Sequence, residues 1–182
     1  TILLCIGLLT VVPVTAQTQV EIPALTGEYA VGRITYVWAD TARQDPFLTT
    51  KQPREVSVKV YYPTDAAQGA TSTSYAEGLE ADVLAMSQHL PIEVVQTDLR
   101  AHAVTDAPLS TAASPYPVVL FSGDISSTAL YYSSLLEDVA SHGYIVVAIL
   151  HPYSNQFAGL SDGRVAFAVE NAHPSAAKVP VG

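Results

Sequence analysis

The sequence predicts an α/β fold in which an antiparallel strand pair leads into a parallel sheet with a crossover helix. Two observations carry this. Residues 118–121 and 144–150 are unbroken apolar runs, the pattern of strands covered on both faces. Between them lies an amphipathic stretch closed by Gly143, so strand, loop, helix, glycine and strand make one right-handed βαβ unit. A third observation supplies the antiparallel part: residues 29–38 and 55–62 alternate apolar and polar with period two.

Taken in order, the first strand places Ile34, Tyr36 and Trp38 on one side and Thr35 and Val37 on the other. The second places Val56, Val58, Val60 and Tyr62 on one side and Ser57, Lys59 and Tyr61 on the other. It reads as half-exposed and ended by Pro63. Residues 64–74 form a surface loop rich in Ala, Gly, Ser and Thr. Leu79, Val83, Met86 and Leu90 then recur at helical spacing until Pro91, and a second helix is expected over 92–101. Residues 106–117 hold three prolines and read as a loop. In the crossover helix, Tyr132, Leu135, Leu136 and Val139 are expected inward, with Glu137 and Asp138 outward. Gly143 sits at the helix stop, and His142 complements the helix dipole.

Composition sets the outer limits. The chain has 182 residues, 8 Lys+Arg and 17 Asp+Glu, a formal charge of −9, one Cys and 49% hydrophobic residues. That length suits one domain or part of one. Nucleic acid is excluded as a partner because there is no basic cluster to neutralise phosphates. The acidity also opposes docking on anionic lipid, though not on neutral or zwitterionic lipid. One Cys allows neither an internal disulfide framework nor a thiolate zinc site.

Residues 2–12 are an apolar run too short to span a bilayer, followed by Val14, Thr15 and Ala16. Small residues at −3 and −1 predict a signal peptide over 1–16, cleaved after Ala16. The domain then occupies 17–182, carries no cysteine, is secreted or periplasmic, and has no stable membrane insertion after cleavage.

No dinucleotide or triphosphate glycine motif is present, and His89, His102, His142, His151 and His173 show no metal-ligand spacing. No cofactor and no metal are therefore expected. No G-x-S-x-G nucleophile turn occurs either. The informative loop is Phe121-Ser122-Gly123-Asp124-Ile125-Ser126-Ser127, at the carboxyl end of the first buried strand. Open α/β sheets bind ligands there. His151 follows the second buried strand at the same end, and reads as a turn residue or a substrate contact.

Three segments carry a resemblance: Tyr116-Pro-Val-Val-Leu-Phe-Ser122, the block from Tyr132-Ser-Ser-Leu-Leu-Glu-Asp-Val-Ala-Ser-His-Gly to Tyr-Ile-Val-Val-Ala148, and His151-Pro-Tyr153. Together they resemble the platelet-activating factor acetylhydrolase family of α/β-hydrolase serine esterases. The strand from Val56 to Pro63, His102 with Asp106-Ala-Pro-Leu109, and Asp162-Gly-Arg164 add weaker matches, so the similarity spans residues 29–164.

The resemblance implies the N-terminal half of an α/β-hydrolase fold, truncated before the nucleophile elbow, with the Ser-Asp-His triad outside this chain. It implies ester or lipid substrates, short acyl esters or a phospholipid sn-2 ester, and leaves the oligomeric state open. Within this chain it implies one catalytic contribution, the backbone N–H of Ile125 in the oxyanion hole, with His151 as a substrate-binding candidate. Such a donor is worth about 3–4 kcal/mol to the transition state. Two departures stand out. Asp124 occupies a position where the family has Gly, and Leu150 replaces a common acid before His151. The competing reading is a catalytically inactive, truncated or diverged hydrolase-fold protein with at most a binding role. The resemblance also implies an unpaired edge at residues 144–150, where the next strand is missing.

Overall fold

A computed structural model describes residues 22–66, 73–113, 115–125 and 127–169, so the expected export segment at 1–16 lies outside them. The long strand β1 (Ala30–Gln44) pairs antiparallel with β2 (Pro53–Thr64), in register from Ala30 opposite Thr64 to Asp40 opposite Arg54. Pro63 does not end β2. It sits opposite Val31, and its carbonyl turns away from β1 to accept the Ser110 N–H at 2.8 Å; its nitrogen faces the same way, so the missing N–H removes no bond to β1.

Strand β3 (Val104–Thr105) adds a short parallel edge to β1. Strand β4 (Val118–Ser122), helix α2 (Ser133–Ser141) and β5 (Ile145–Leu150) form the expected βαβ unit, with β4 and β5 parallel. Gly143 takes φ 89°, the left-handed backbone that a helix stop requires. The five-stranded order is β3-β1-β2-β5-β4. A separate hairpin, β6 (Phe157–Gly159) with β7 (Val165–Phe167), turns at Gly163 with φ 82°.

Five further expectations are corrected. First, β5 is not the open edge: it pairs with β2 on one side and β4 on the other, and among the described residues β4 has a single partner. Second, α2 is rotated about its axis from the expected face. Glu137 is 1% exposed and Leu135 56%, because the N–H of His102 donates to Glu137 Oε2 at 2.9 Å. Third, Ser57 and Lys59 are buried rather than solvated. Glu80, from helix α1 (Gly78–Gln88), reaches Lys59 and pairs with its Nζ at 2.5 Å. Fourth, α1 buries Ala81, Leu84 and Ala85, while Leu79 and Met86 face outward. Fifth, the second helix expected over 92–101 shrinks to one wide π turn at Val94–Asp98, and Leu99 is already extended.

Helix α1 packs in a separate cluster with Tyr75, Val95, Leu99, Leu130 and Phe157, while α2 covers one face of the sheet. Val146, Ala148 and Leu150 are fully buried there beside Tyr61, whose hydroxyl donates to Ser133 Oγ of α2 at 3.1 Å. Burial pushes the Tyr61 phenol up to about 12. On the other face Val147 and Ile149 are half-buried, and Tyr36 stacks on Trp38 with both exposed. The amino-terminal segment is pinned to α2, where Thr26 donates its N–H and hydroxyl to the Asp138 carboxylate. His142 Nε2 reaches the same Thr26 hydroxyl at 2.9 Å.

Candidate active site

The parallel strands β4 and β5 end side by side, so the loops that follow them meet at one edge of the sheet. The first is Ser122–Gly123–Asp124–Ile125; the second is the turn His151–Pro152–Tyr153–Ser154–Asn155. This second loop is a tight turn in which His151 C=O accepts the N–H groups of Ser154 and Asn155 at 3.0 and 2.9 Å. Tyr153 holds left-handed backbone there, φ 66°, which costs a non-glycine residue on the order of 1–3 kcal/mol.

Side chains tie the two loops together. Ser122 Oγ and His151 Nε2 lie 3.0 Å apart. His151 N–H donates to Asn155 Oδ1 at 2.5 Å, and Asn155 Nδ2 donates to the Asp124 carbonyl at 3.0 Å. Asn155 is 3% exposed, so this amide bridge is shielded from competing water. Desolvation, then the charge of Arg54, lowers the His151 imidazole below its ordinary 6.5. At neutral pH the ring is uncharged.

The structure also locates the two candidates singled out in the sequence. Ile125 stands in the loop after β4, and its backbone N–H already donates to the Asp124 carboxylate, Oδ1 at 2.7 Å. The residue that departs from the family pattern thus puts an anionic oxygen on the donor expected to hold an oxyanion. His151 stands at the end of the neighbouring strand, its ring engaged by Ser122. Gly123 is packed against Phe121 and Tyr132, whose rings meet at 5.0 Å. Leu150, where an acid was the common residue, is fully buried in the core.

Ser122 and Asn155 were not singled out by sequence reasoning. Asn155 had no signal: its partner carbonyl is 31 residues away in the chain. Ser122 had a weak one, its place as the last residue of a buried-type strand.

Elsewhere, a cleft of about 210 Å³ opens over β1 and β2, lined among others by Arg33, Lys59, Glu77 and Glu80. Its two cations are each already paired, Arg33 with Glu77 at 3.0 Å and Lys59 with Glu80. Among the described residues no three His, Cys, Asp or Glu side chains are placed to hold a metal, and no helix is long and apolar enough to cross a membrane.

The family model for platelet-activating factor acetylhydrolase, isoform II, matches residues 14–159. The chain belongs to that family. The platelet-activating factor acetylhydrolase of Cavia porcellus is 27% identical over 145 residues, covering 76% of this chain and 30% of the relative. Among solved structures, a ferulic acid esterase from Streptomyces cinnamoneus superposes with a TM-score of 0.65 at 24% identity, over 84% of this chain and 42% of that one. That likeness establishes the α/β fold. The chain therefore spans less than half the length of either relative, and both relatives are named as hydrolases of esters or acetyl groups.

Proposed function

We propose that this chain is the amino-terminal part of an exported carboxylic-ester hydrolase of the platelet-activating factor acetylhydrolase type. Its substrates are short acyl esters or phospholipid sn-2 esters. Residues 1–16 act as its signal peptide, 17–182 belong to the catalytic domain, and the nucleophilic serine, aspartate and histidine lie beyond Gly182. The reaction is attack by that serine on the ester carbonyl, collapse to an acyl-enzyme, and hydrolysis by water activated by the histidine. This chain contributes the Ile125 N–H to the oxyanion, and His151, at the end of the neighbouring strand, contacts the substrate.

One observation carries the reading. The Ile125 N–H, at the carboxyl end of β4, already holds an anionic oxygen at 2.7 Å, the distance an oxyanion donor needs. The same contact supports a second reading, an inactive relative whose donor is permanently filled by Asp124.

Sequencing the source DNA past the codon for Gly182 tests the first claim. It should reveal G-x-S-x-G followed by Asp and His; a stop codon soon after Gly182 would sink it. Assaying the extended protein on p-nitrophenyl acetate, with Asp124→Gly beside it, separates the two readings. A wild-type enzyme that turns over supports the first. Activity only in Asp124→Gly, with a gain of up to about 100-fold for a freed donor, supports the second.

A further inference from the structure

An oxyanion donor is useful only if its direction is fixed before the charge develops. The Ile125 N–H belongs to the same peptide unit as the Asp124 C=O. A trans peptide is planar, with N–H and C=O pointing in opposite directions. Whatever holds the Asp124 carbonyl therefore aims the Ile125 N–H.

Among the described residues, three donors hold that carbonyl. Ser127 supplies two, its N–H at 3.2 Å and its hydroxyl at 3.1 Å. Both come from the loop itself and would turn with it. The third is Asn155 Nδ2 at 3.0 Å, and it comes from a different strand end. Asn155 is itself fixed, because its Oδ1 accepts the His151 N–H and its side chain is almost wholly buried. His151 is in turn joined to the last residue of β4 through Ser122.

We infer that Asn155 is a positioning residue, which sets the direction of the Ile125 N–H by clamping the peptide it belongs to onto the end of β5. The inference rests on the functional reading above for its catalytic consequence, but not for its geometry. The two halves of the Asn155 amide do separable work. Oδ1 shapes the His151 turn; Nδ2 aims the donor.

Asn155→Asp separates them, since a carboxylate oxygen still accepts the His151 N–H but cannot donate to the Asp124 carbonyl. The first readout is the Ile125 amide resonance of the 182-residue chain, with its exchange rate, in wild type, Asn155→Asp and Asn155→Ala. The resonance should move in both variants; an unmoved resonance in Asn155→Asp overturns the inference. The second readout is ester hydrolysis by the protein extended beyond Gly182. A misaimed donor should lower kcat about 100-fold, with KM within about twofold. A variant that melts earlier yet keeps the wild-type kcat would show a merely structural residue and also overturn it. If the wild-type protein hydrolyses no ester, the functional reading fails, while the Ile125 resonance still decides whether Asn155 aims the peptide.

Discussion

Strands β4 and β5 are written in almost the same alphabet, yet they have opposite fates. In β5 every second residue, Val146, Ala148 and Leu150, is fully buried, and the residues between are half-buried. In β4, Val118 is 59% exposed and Leu120 70%. The difference lies in neighbours. β5 is paired on both sides, and α2 packs across β1, β2 and β5. Among the described residues β4 has one partner strand, and of its side chains Phe121 packs on Tyr132 at the start of α2 while Val118 and Leu120 stay exposed. A continuous apolar run thus reports the burial a strand is built to receive. The burial it gets depends on the layers present.

The sharpest way to break this comparison is to remove the same side chain from each strand. Leu150→Ala should cost about 2–5 kcal/mol of unfolding free energy, since it empties a fully buried site. Leu120→Ala should stay within about 0.5 kcal/mol. Urea denaturation of both variants decides it. Equal losses would mean that β4 is covered in solution.

Next in size is self-association. An apolar edge strand with free N–H and C=O groups is a template for a second chain. The 182-residue chain should show concentration-dependent association in sedimentation velocity, and Leu120→Lys should abolish it while leaving the melting profile in place. A wild-type chain that stays monomeric at high concentration would show the β4 edge to be protected after all.

How much of this was legible follows the same logic. The βαβ unit, the Gly143 stop and the β1/β2 pairing depend on local pattern, and the structure keeps them. The facing of α2 was misread because the partner of Glu137 is the backbone N–H of His102, 35 residues away. Lys59 was read as solvated because alternation cannot announce that Glu80 will arrive above it. The α1 stripe failed for a simpler reason: Ala81, Leu84 and Ala85, not Leu79 and Met86, turn toward Tyr75, Val95, Leu99 and Phe157, partners that helical spacing alone cannot announce. The Asp162-Gly163 pair was a legible turn signal for the β6/β7 hairpin that the strand reading passed over. At the candidate site, the position of Ile125 was legible and its occupied state was not, since Asp124 folds its own carboxylate back onto the next N–H.

The comparison sharpens in its response to pH, because two groups perturbed by desolvation, Glu137 and His151, lie on the helix over the covered strand and at the end of that strand. Burial raises the Glu137 carboxyl above its ordinary 4.5. The folded state then binds more protons than the unfolded one just above that value, so stability falls as pH rises through the folded pKa. Glu137→Gln should flatten that slope in urea midpoints measured across acidic pH. A slope that survives the substitution would assign it to another group.

The smallest effect belongs to His151, at the end of β5, and it has the opposite sign. Its imidazole is held below 6.5, so between the folded value and 6.5 the unfolded chain binds the proton that the folded one refuses. Stability is fully present above 6.5 and is lost as pH falls below it. Protonation would also turn the Ser122–His151 contact from an interaction with a neutral ring into one with a cation that the buried turn solvates poorly. His151→Gln keeps a hydrogen-bonding group near Ser122 and removes the titration, so its midpoint should be flat where the wild type declines. The Glu137→Gln background isolates this term from the carboxylate slope of opposite sign. A Leu120→Lys chain, altered only on β4, should reproduce the wild-type decline. If instead it moves the decline, the two strand ends are coupled, and the contrast between them is one of exposure alone.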